Sequence, residues 1–380
     1  MEIRSGSGEG LETEALRHFL DRVFGFEGVT KGFAQIYPQM YRPGAHPEKQ
    51  NRILTEDGQL AAAVGSYPRT LIVGDESLQL TGIGNVGVRP ESLGRGYMKR
   101  LMAESTEEMI RDGADLSDLS GQRQRYQYFG YETAGVPVSF RVTPKNTEHF
   151  FRGKEKRPLV FLPLKEGERE DLWDRAFALY EKKLCRIRRS REEFPLILRS
   201  HGREPFAVLE NGRFLGYFTG ELGELTLKDP ADLCEVVRHY TEEHGEVIFP
   251  MAPWEKALLR EAASICEEAL LSSRAKISVF HYRKTVGAFL KLKSRLEKLA
   301  DGRMTLLIRG IAGEEKLRIS VREGRPLVEE ASEEEKTDAE LGHGEAARFF
   351  FGIYSPEREA LPLARDWFPL PFAVERADHV

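Results

Sequence analysis

The chain has 380 residues, 31% of them charged, with a formal net charge of −5. That length exceeds one ordinary core and predicts two or three domains. The small negative charge argues against a nucleic-acid binder and leaves room for cationic or amine substrates. No apolar run is long enough to cross a membrane, and Met1–Gly6 lacks the hydrophobic stretch of a secretory leader, so a cytoplasmic protein that spans no membrane is predicted. Cys185, Cys234 and Cys266 lie far apart with no pair at metal or redox spacing, which predicts no metal.

In chain order, Leu16, Phe19, Leu20 and Val23 mark one face of a helix over 11–24. Asp57-Gly58 is a two-residue turn signal between Arg52-Ile53-Leu54 and Leu60–Val64, and further strands are expected near 68–73 and 77–88. Pro90 ends the last of these, and Met98, Leu101, Met102, Ser105, Met109 and Ile110 repeat at helical spacing to about Arg111. Strands near 114–119 and 135–142 follow, giving a mixed sheet in a first domain over 1–145. After the charged, proline-bearing linker 143–158, the block 158–283 repeats the pattern. It has a helix from Asp171, a hairpin at Asn211-Gly212, helices over 230–244 and 254–270, and a closing strand from Lys276 to Tyr282. The last block, 284–380, reads as smaller and α+β. It contains a helix over 286–300, strands at 304–309 and 316–322, a solvated acidic turn region over 329–340, and an aromatic ending around Phe349-Phe350-Phe351 and Trp367–Phe372.

The richest segment is Asn85–Met98, a strand that turns through glycine into a helix. Gly94 and Gly96 let an anion approach the main chain, the helix N-terminus offers amides, and Arg95 adds a positive charge. About thirty residues on comes Arg123-Gln124-Arg125-Tyr126-Gln127-Tyr128-Phe129-Gly130-Tyr131. Together these resemble the GCN5-related N-acetyltransferases, whose acetyl-CoA loop has the form V-x-V-x-P-x-x-(Q/R)-x-x-G-x-(G/A), followed later by a Tyr-x-x-x-Gly-aromatic element. Val86, Val88, Pro90 and Gly96 match the loop; Tyr126, Gly130 and Tyr131 match the later element. Leu93 and Met98 depart from it, the first removing a phosphate donor and the second placing a bulkier residue at the helix start.

The three-part layout is similar to the Eis-type acetyltransferases, in which two acetyltransferase-like domains precede a sterol-carrier-protein-like domain. The resemblance implies an α+β (mixed α/β) fold and acetyl-CoA as co-substrate, bound by Val86, Val88, Leu93, Gly94, Arg95, Gly96, Tyr97 and Met98. It implies a degenerate, scaffolding second domain, a third domain that returns the chain terminus to the active site, and a homo-oligomer, a hexamer by family likeness.

Acetyl transfer to an amine needs a bound thioester, a neutral amine, oxyanion stabilisation and a proton for the thiolate. Backbone amides near Val86 and Val88 are candidate donors to the thioester carbonyl. The Tyr126 phenol, with an ordinary pKa of about 10, is the candidate acid. Tyr128 and Tyr131 read as packing residues, while Arg123 and Arg125 reach cofactor phosphates or hold the loop. For the base, the resemblance implies the carboxylate of Val380. The residues themselves add His379, which titrates near neutrality, with Asp378 to orient it or attract a cationic substrate and Glu27 to face the acceptor. The basic cluster Lys182–Arg189 reads as a helix end or an oligomer surface.

The acceptor is a small-molecule or peptide amine, with aminoglycosides and polyamines raised by the resemblance. A non-catalytic acyl-CoA-binding protein is the alternative, motivated by Leu93 and Met98; lipid carriage by the last block is a third reading.

Overall fold

The computed structural model describes residues 2–26, 32–273 and 275–380. It is a mixed α/β architecture, with 12 α-helices and 19 strands among the described residues. Two compact units form: residues 1–135 with 273–372 and 379–380, and residues 136–272 with 373–378.

In the first unit the sheet runs in the order Ile3–Ser7, Asn51–Glu56, Gln59–Val73, Glu76–Val88, Leu116–Leu119, Ala275–Val279 and Glu132–Ala134. Its neighbours are antiparallel except Glu76–Val88 and Leu116–Leu119, which are parallel. The Asp57-Gly58 turn forms as read, with positive φ at both residues, so the two strands twist into register. Helix Tyr97–Arg111 buries Tyr97, Leu101, Met102, Ser105, Thr106 and Met109. That face packs with Leu54, Ala61, Val64, Ile83, Leu119, Tyr126 and Tyr131 in one core.

The same unit holds a second sheet, ordered Arg325–Glu330, Gly313–Arg322, Gly302–Gly310 and Ala339–Gly342. Part of the expected acidic turn region is therefore strand. Glu329 meets Arg318, and Glu335 takes Thr305 and Arg303, which hold its carboxyl down at about 2. Helix Tyr282–Leu296 contributes Phe289, whose ring meets Phe351 and Phe372 at centroid distances of 5.4 and 5.8 Å. Phe349, Phe350, Phe351, Trp367, Leu370 and Phe372 are wholly buried, and the Leu370 amide donates to the Phe350 carbonyl at 2.7 Å. The aromatic ending is thus a packed segment.

Two strands take partners that their sequence position does not announce. Ala275–Val279, expected to close the second block, pairs with Leu116–Leu119 and Glu132–Ala134 in the first unit. Val138–Val142, expected in the first sheet, lies between Val247–Met251 and Glu268–Leu271 in the second unit. The helix expected over 254–270 spans Lys256–Ile265, and the chain then turns into that strand.

The second unit also contains the sheet Thr226–Leu227, Arg213–Thr219, Pro205–Glu210 and Leu159–Pro163. In its basic cluster Lys182 and Arg188 are exposed, whereas Lys183 and Arg189 are not surface charge. Lys183 is buried against Glu375, whose carboxyl burial pushes up to about 7 although Lys183 opposes the shift. Arg189, with a fully buried side chain, donates to both oxygens of Glu224 (2.9 and 2.8 Å) and both of Asp378 (2.8 and 2.8 Å), and lies 4.0 Å from the Tyr180 ring centroid. Arg189→Ala leaves two buried carboxylates without this partner and is expected to cost about 3–5 kcal/mol in urea unfolding of the full chain; a loss under about 1 kcal/mol would contradict the buried pairing.

Candidate functional site

The parallel pairing between Glu76–Val88 and Leu116–Leu119 runs from Leu80 opposite Leu116 to Ile83 opposite Leu119, and there it stops. Beyond it, among the described residues, the first strand keeps its antiparallel partner. Asn85, at φ 56°, forms a bulge between the pairs Gly65–Gly84 and Ala63–Gly87. The parting leaves a wedge at the carboxyl ends of two parallel strands, where open α/β sheets take ligands. A buried network fixes the bulge: the Asn85 and Asn51 side-chain amides both donate to the Tyr67 hydroxyl, and Asn51 also donates to the Pro47 carbonyl at 2.7 Å.

The strand then enters a turn, Pro90–Ser92, and reaches Gly94 and Gly96, both at φ 78°. A Cβ on either glycine meets nothing within 4 Å, so the backbone conformation demands glycine and the approach from outside is open. The first bond closing the helix runs from the Arg100 amide to the Gly96 carbonyl at 3.0 Å, leaving the amides of Tyr97, Met98 and Lys99 at its opening turn. Amides and helix dipole together suit a diphosphate. Tyr97 is buried, Val86, Val88 and Met98 are half-buried against the same core, and Leu93 is exposed, so neither departure from the loop pattern closes it.

Glu56 locks this loop, and no local motif in the chain announces it. Its buried carboxylate accepts from Ser92 Oγ at 2.8 Å and Arg89 Nη2 at 3.2 Å, and pairs with Arg95. Arg95 is thereby drawn onto a carboxylate, and Lys99 places a charge beside the opening amides, its Nζ 4.0 Å from the Tyr128 ring centroid. Tyr128, read as a packing residue, is exposed.

Tyr126 ends the short helix Arg123–Tyr126. Its buried ring lies against Gly121, where a Cβ would overlap it, and edge-on to Tyr131 at 6.4 Å. Burial raises the phenol above its ordinary pKa, while Arg125 pulls it back. Arg123 holds the turn rather than a phosphate, pairing with buried Glu132, which also takes Arg348. Gly130, at φ 81°, accepts from His343 Nε2 at 2.7 Å, and a Cβ there would collide with that ring. His343 Nδ1 accepts from the Ile311 amide at 3.1 Å, so the neutral Nε2–H form fits, and burial lowers this histidine's pKa.

The end of the chain lies on the sheet face beside the wedge. A Cβ on Gly84 would stand 2.8 Å from the carboxyl carbon of Val380 and 3.1 Å from its oxygen, and one on Gly82 would stand 2.6 Å from its Cγ2. His379 Nδ1 is 3.0 Å from Ser120 Oγ, next to the Gly121 that carries the Tyr126 ring. Val380, His379 and Tyr126 therefore gather about the parted strand ends. Asp378 does not join them: it is buried on Arg189, which removes it from the substrate-facing role expected of it. Glu27 lies outside the described residues. A separate cavity of about 560 Å³, lined by Asp115, His281, Lys284 and Glu315, adjoins the opposite end of strand Leu116–Leu119, and its buried carboxylate is ion-paired with Lys284 at 2.6 Å.

Residues 8–134 match the family profile described as an acetyltransferase (GNAT) domain. The match is confined to the first part of the chain, which is similar to a GNAT acetyltransferase domain; such a domain implies an acyltransferase with acetyl-CoA as co-substrate. No curated protein matches the sequence. Among solved structures, a GCN5-related N-acetyltransferase from Kribbella flavida is 16% identical with TM-score 0.69, covering 100% of this chain and 98% of that one. A GCN5-related N-acetyltransferase from Anabaena variabilis ATCC 29413 (13% identity, TM-score 0.68) and Eis1 from Mycobacterium abscessus (13%, 0.64) each align over 100% of both chains. At these identities the likeness is one of fold. Among the described residues no helix is long and apolar enough to cross a membrane.

Glu56→Gln is expected to loosen the loop and weaken acetyl-CoA binding by about five- to tenfold in calorimetry, the scale of one charge-assisted hydrogen bond. An unchanged Kd would remove Glu56 from the clamp.

Proposed function

We propose that the protein transfers an acetyl group from acetyl-CoA to a primary amine by direct attack. The observation that carries this reading is the opened loop, whose amides start a helix at the end of the strand that borders the wedge, with Tyr126 packed beside the wedge's other strand. When bound, acetyl-CoA supplies the activated thioester. The amides from Gly94 to Met98 hold its diphosphate, with Val86, Val88, Leu93 and Tyr97 forming the wall, and Arg95 keeps the loop in shape through Glu56. An amide at Val86 or Val88 donates to the thioester carbonyl oxygen, and the Tyr126 phenol gives its proton to the sulfur.

The carboxylate of Val380 accepts the amine's proton, directly or through water, with His379 as the second candidate. A carboxylate is a weak base in water, and the carboxyl of Val380 sits against the Gly84 backbone. The reading takes 1–145 as catalytic, 158–283 as a degenerate acetyltransferase-like scaffold, and 284–380 as sterol-carrier-protein-like, supported by helix Tyr282–Leu296 and the sheet beginning at Gly302. It also takes the protein as a cytoplasmic homo-oligomer without a metal.

Tyr126→Phe is expected to lower kcat by about a hundredfold with acetyl-CoA affinity nearly intact; an unchanged kcat would remove Tyr126 as the acid. Because burial raises the phenol's pKa, the acid form persists above its ordinary range. The kcat profile is thus expected to show no alkaline fall below about pH 10; a fall centred near pH 8 would contradict this assignment. Gly84→Ala pushes a methyl group into the carboxyl of Val380 and is expected to lower kcat about tenfold. Wild-type turnover in that variant would separate the terminus from the chemistry.

A further inference from the structure

The last two residues divide between the two strands that part. Val380 sets its carboxyl against Gly84 on one, and His379 sets its imidazole against Ser120 at the end of the other, with Nδ1 3.0 Å from Oγ. Asp118 pairs opposite Gly82 on the ladder, so Ser120 and Gly84 each stand two positions on, just past the last pair, Ile83 with Leu119. The terminal dipeptide thus reaches across the opening and offers a different proton acceptor toward each strand.

Ser120 is not a packing residue. All four residues of Leu116–Leu119 are buried, and Ser120, the next in the chain, is exposed. Gly121 follows, and its missing side chain leaves room for the Tyr126 ring: a Cβ there would stand 2.9 Å from Cδ2 and 3.4 Å from Cζ. Hydroxyl, imidazole and tyrosine ring therefore meet at one strand end. A serine hydroxyl that donates to an imidazole nitrogen keeps its lone pairs for a third molecule and can hand that molecule's proton on, and an imidazole accepts a proton at neutral pH.

Acetyl transfer to an amine needs one proton acceptor, and the Val380 carboxylate supplies it. The Ser120–His379 pair is a second one, carried by the strand that leads into Tyr126, and water is the nucleophile it can deprotonate without any surface to recognise an acceptor. Resting on the reading that acetyl-CoA binds with its thioester at this wedge, we propose that the protein has a second activity, amine-independent hydrolysis of acetyl-CoA, in which Ser120 and His379 activate the water. The water oxygen bonds to the thioester carbonyl carbon as one of its protons passes through Ser120 Oγ to His379 Nδ1. The C–S bond then breaks, its electron pair leaves on sulfur, and the Tyr126 phenol protonates the thiolate. The proton on His379 returns to Tyr126 through solvent and the acetic acid ionises, so each turnover yields acetate, the CoA thiol and one proton.

The test follows thiol release from acetyl-CoA by the full chain with no amine present, with acetate read by NMR, and repeats it with 2-phenylethylamine, spermidine and kanamycin. Amine-free release at least about tenfold faster than in buffer is expected. It should fall about ten- to a hundredfold in Ser120→Ala and in His379→Gln and recover in Ser120→Thr, with the Kd of Ser120→Ala for acetyl-CoA at the wild-type value. Release at the buffer rate without an amine, but faster with one, would overturn the hydrolysis and leave the N-acetyltransferase reading intact. Amine-free release that Ser120→Ala does not slow would also overturn it. So would an acetyl ester on Ser120 found by mass spectrometry, since serine rather than water would then be the nucleophile. Amine-free release that follows the variants as expected, with no acetylated amine formed, would uphold the hydrolysis and overturn acetyl transfer to these amines. Release at the buffer rate in every arm would overturn both.

Discussion

The parting of two parallel strands after Ile83 and Leu119 is the constraint on which the site depends. While the ladder continues, each backbone group on the facing edges has a partner and no ligand can reach it. Once it stops, the edge from Gly84 onward faces a wedge, and the Asn85 bulge turns it further out of register. At Gly84 the terminal residue occupies the space of a side chain, and at Gly82 the Arg69 guanidinium shares that space with it. The wedge is thus built to accept main chain and ligand at close range.

What surrounds the wedge is held by buried polar contacts more than by loop stiffness. Asn51, Tyr67 and Asn85 fix the bulge, Glu56 gathers Ser92, Arg89 and Arg95, and His343 joins the Gly130 carbonyl to the Ile311 amide. Each places a hydrogen-bonded group where water is excluded, so loss of one partner leaves the other unsatisfied at a cost of about 1–3 kcal/mol. Such contacts give a loop one geometry. The aromatic packing of Phe349 to Phe372 does the same for the returning chain.

Features written in neighbouring residues were legible from the sequence. The Asp57-Gly58 and Asn211-Gly212 hairpins, the helix face from Leu101 to Met109, and the glycine turn into that helix all depend on spacing within about a dozen positions. Pairing across long separations was not. Ala275–Val279 reads as a strand by its alternation, yet nothing in it says that Leu116–Leu119 is its partner. Arg95 and Glu56 are 39 positions apart, so the arginine's engagement was hidden and its charge was assigned to the ligand. The same blindness made Lys183 and Arg189 look like surface charge, because burial depends on elements elsewhere in the chain. Asp378 was misread for that reason.

The central claim is that the amides from Gly94 to Met98 receive the diphosphate of acetyl-CoA and so direct its thioester between Tyr126 and Val380. A crystal structure of the protein soaked with CoA tests it most directly. The account predicts diphosphate oxygens at about 2.7–3.2 Å from those amide nitrogens and the sulfur within hydrogen-bond reach of the Tyr126 hydroxyl. Density for CoA elsewhere on the molecule, with the wedge between Gly84 and Ser120 empty, would contradict it.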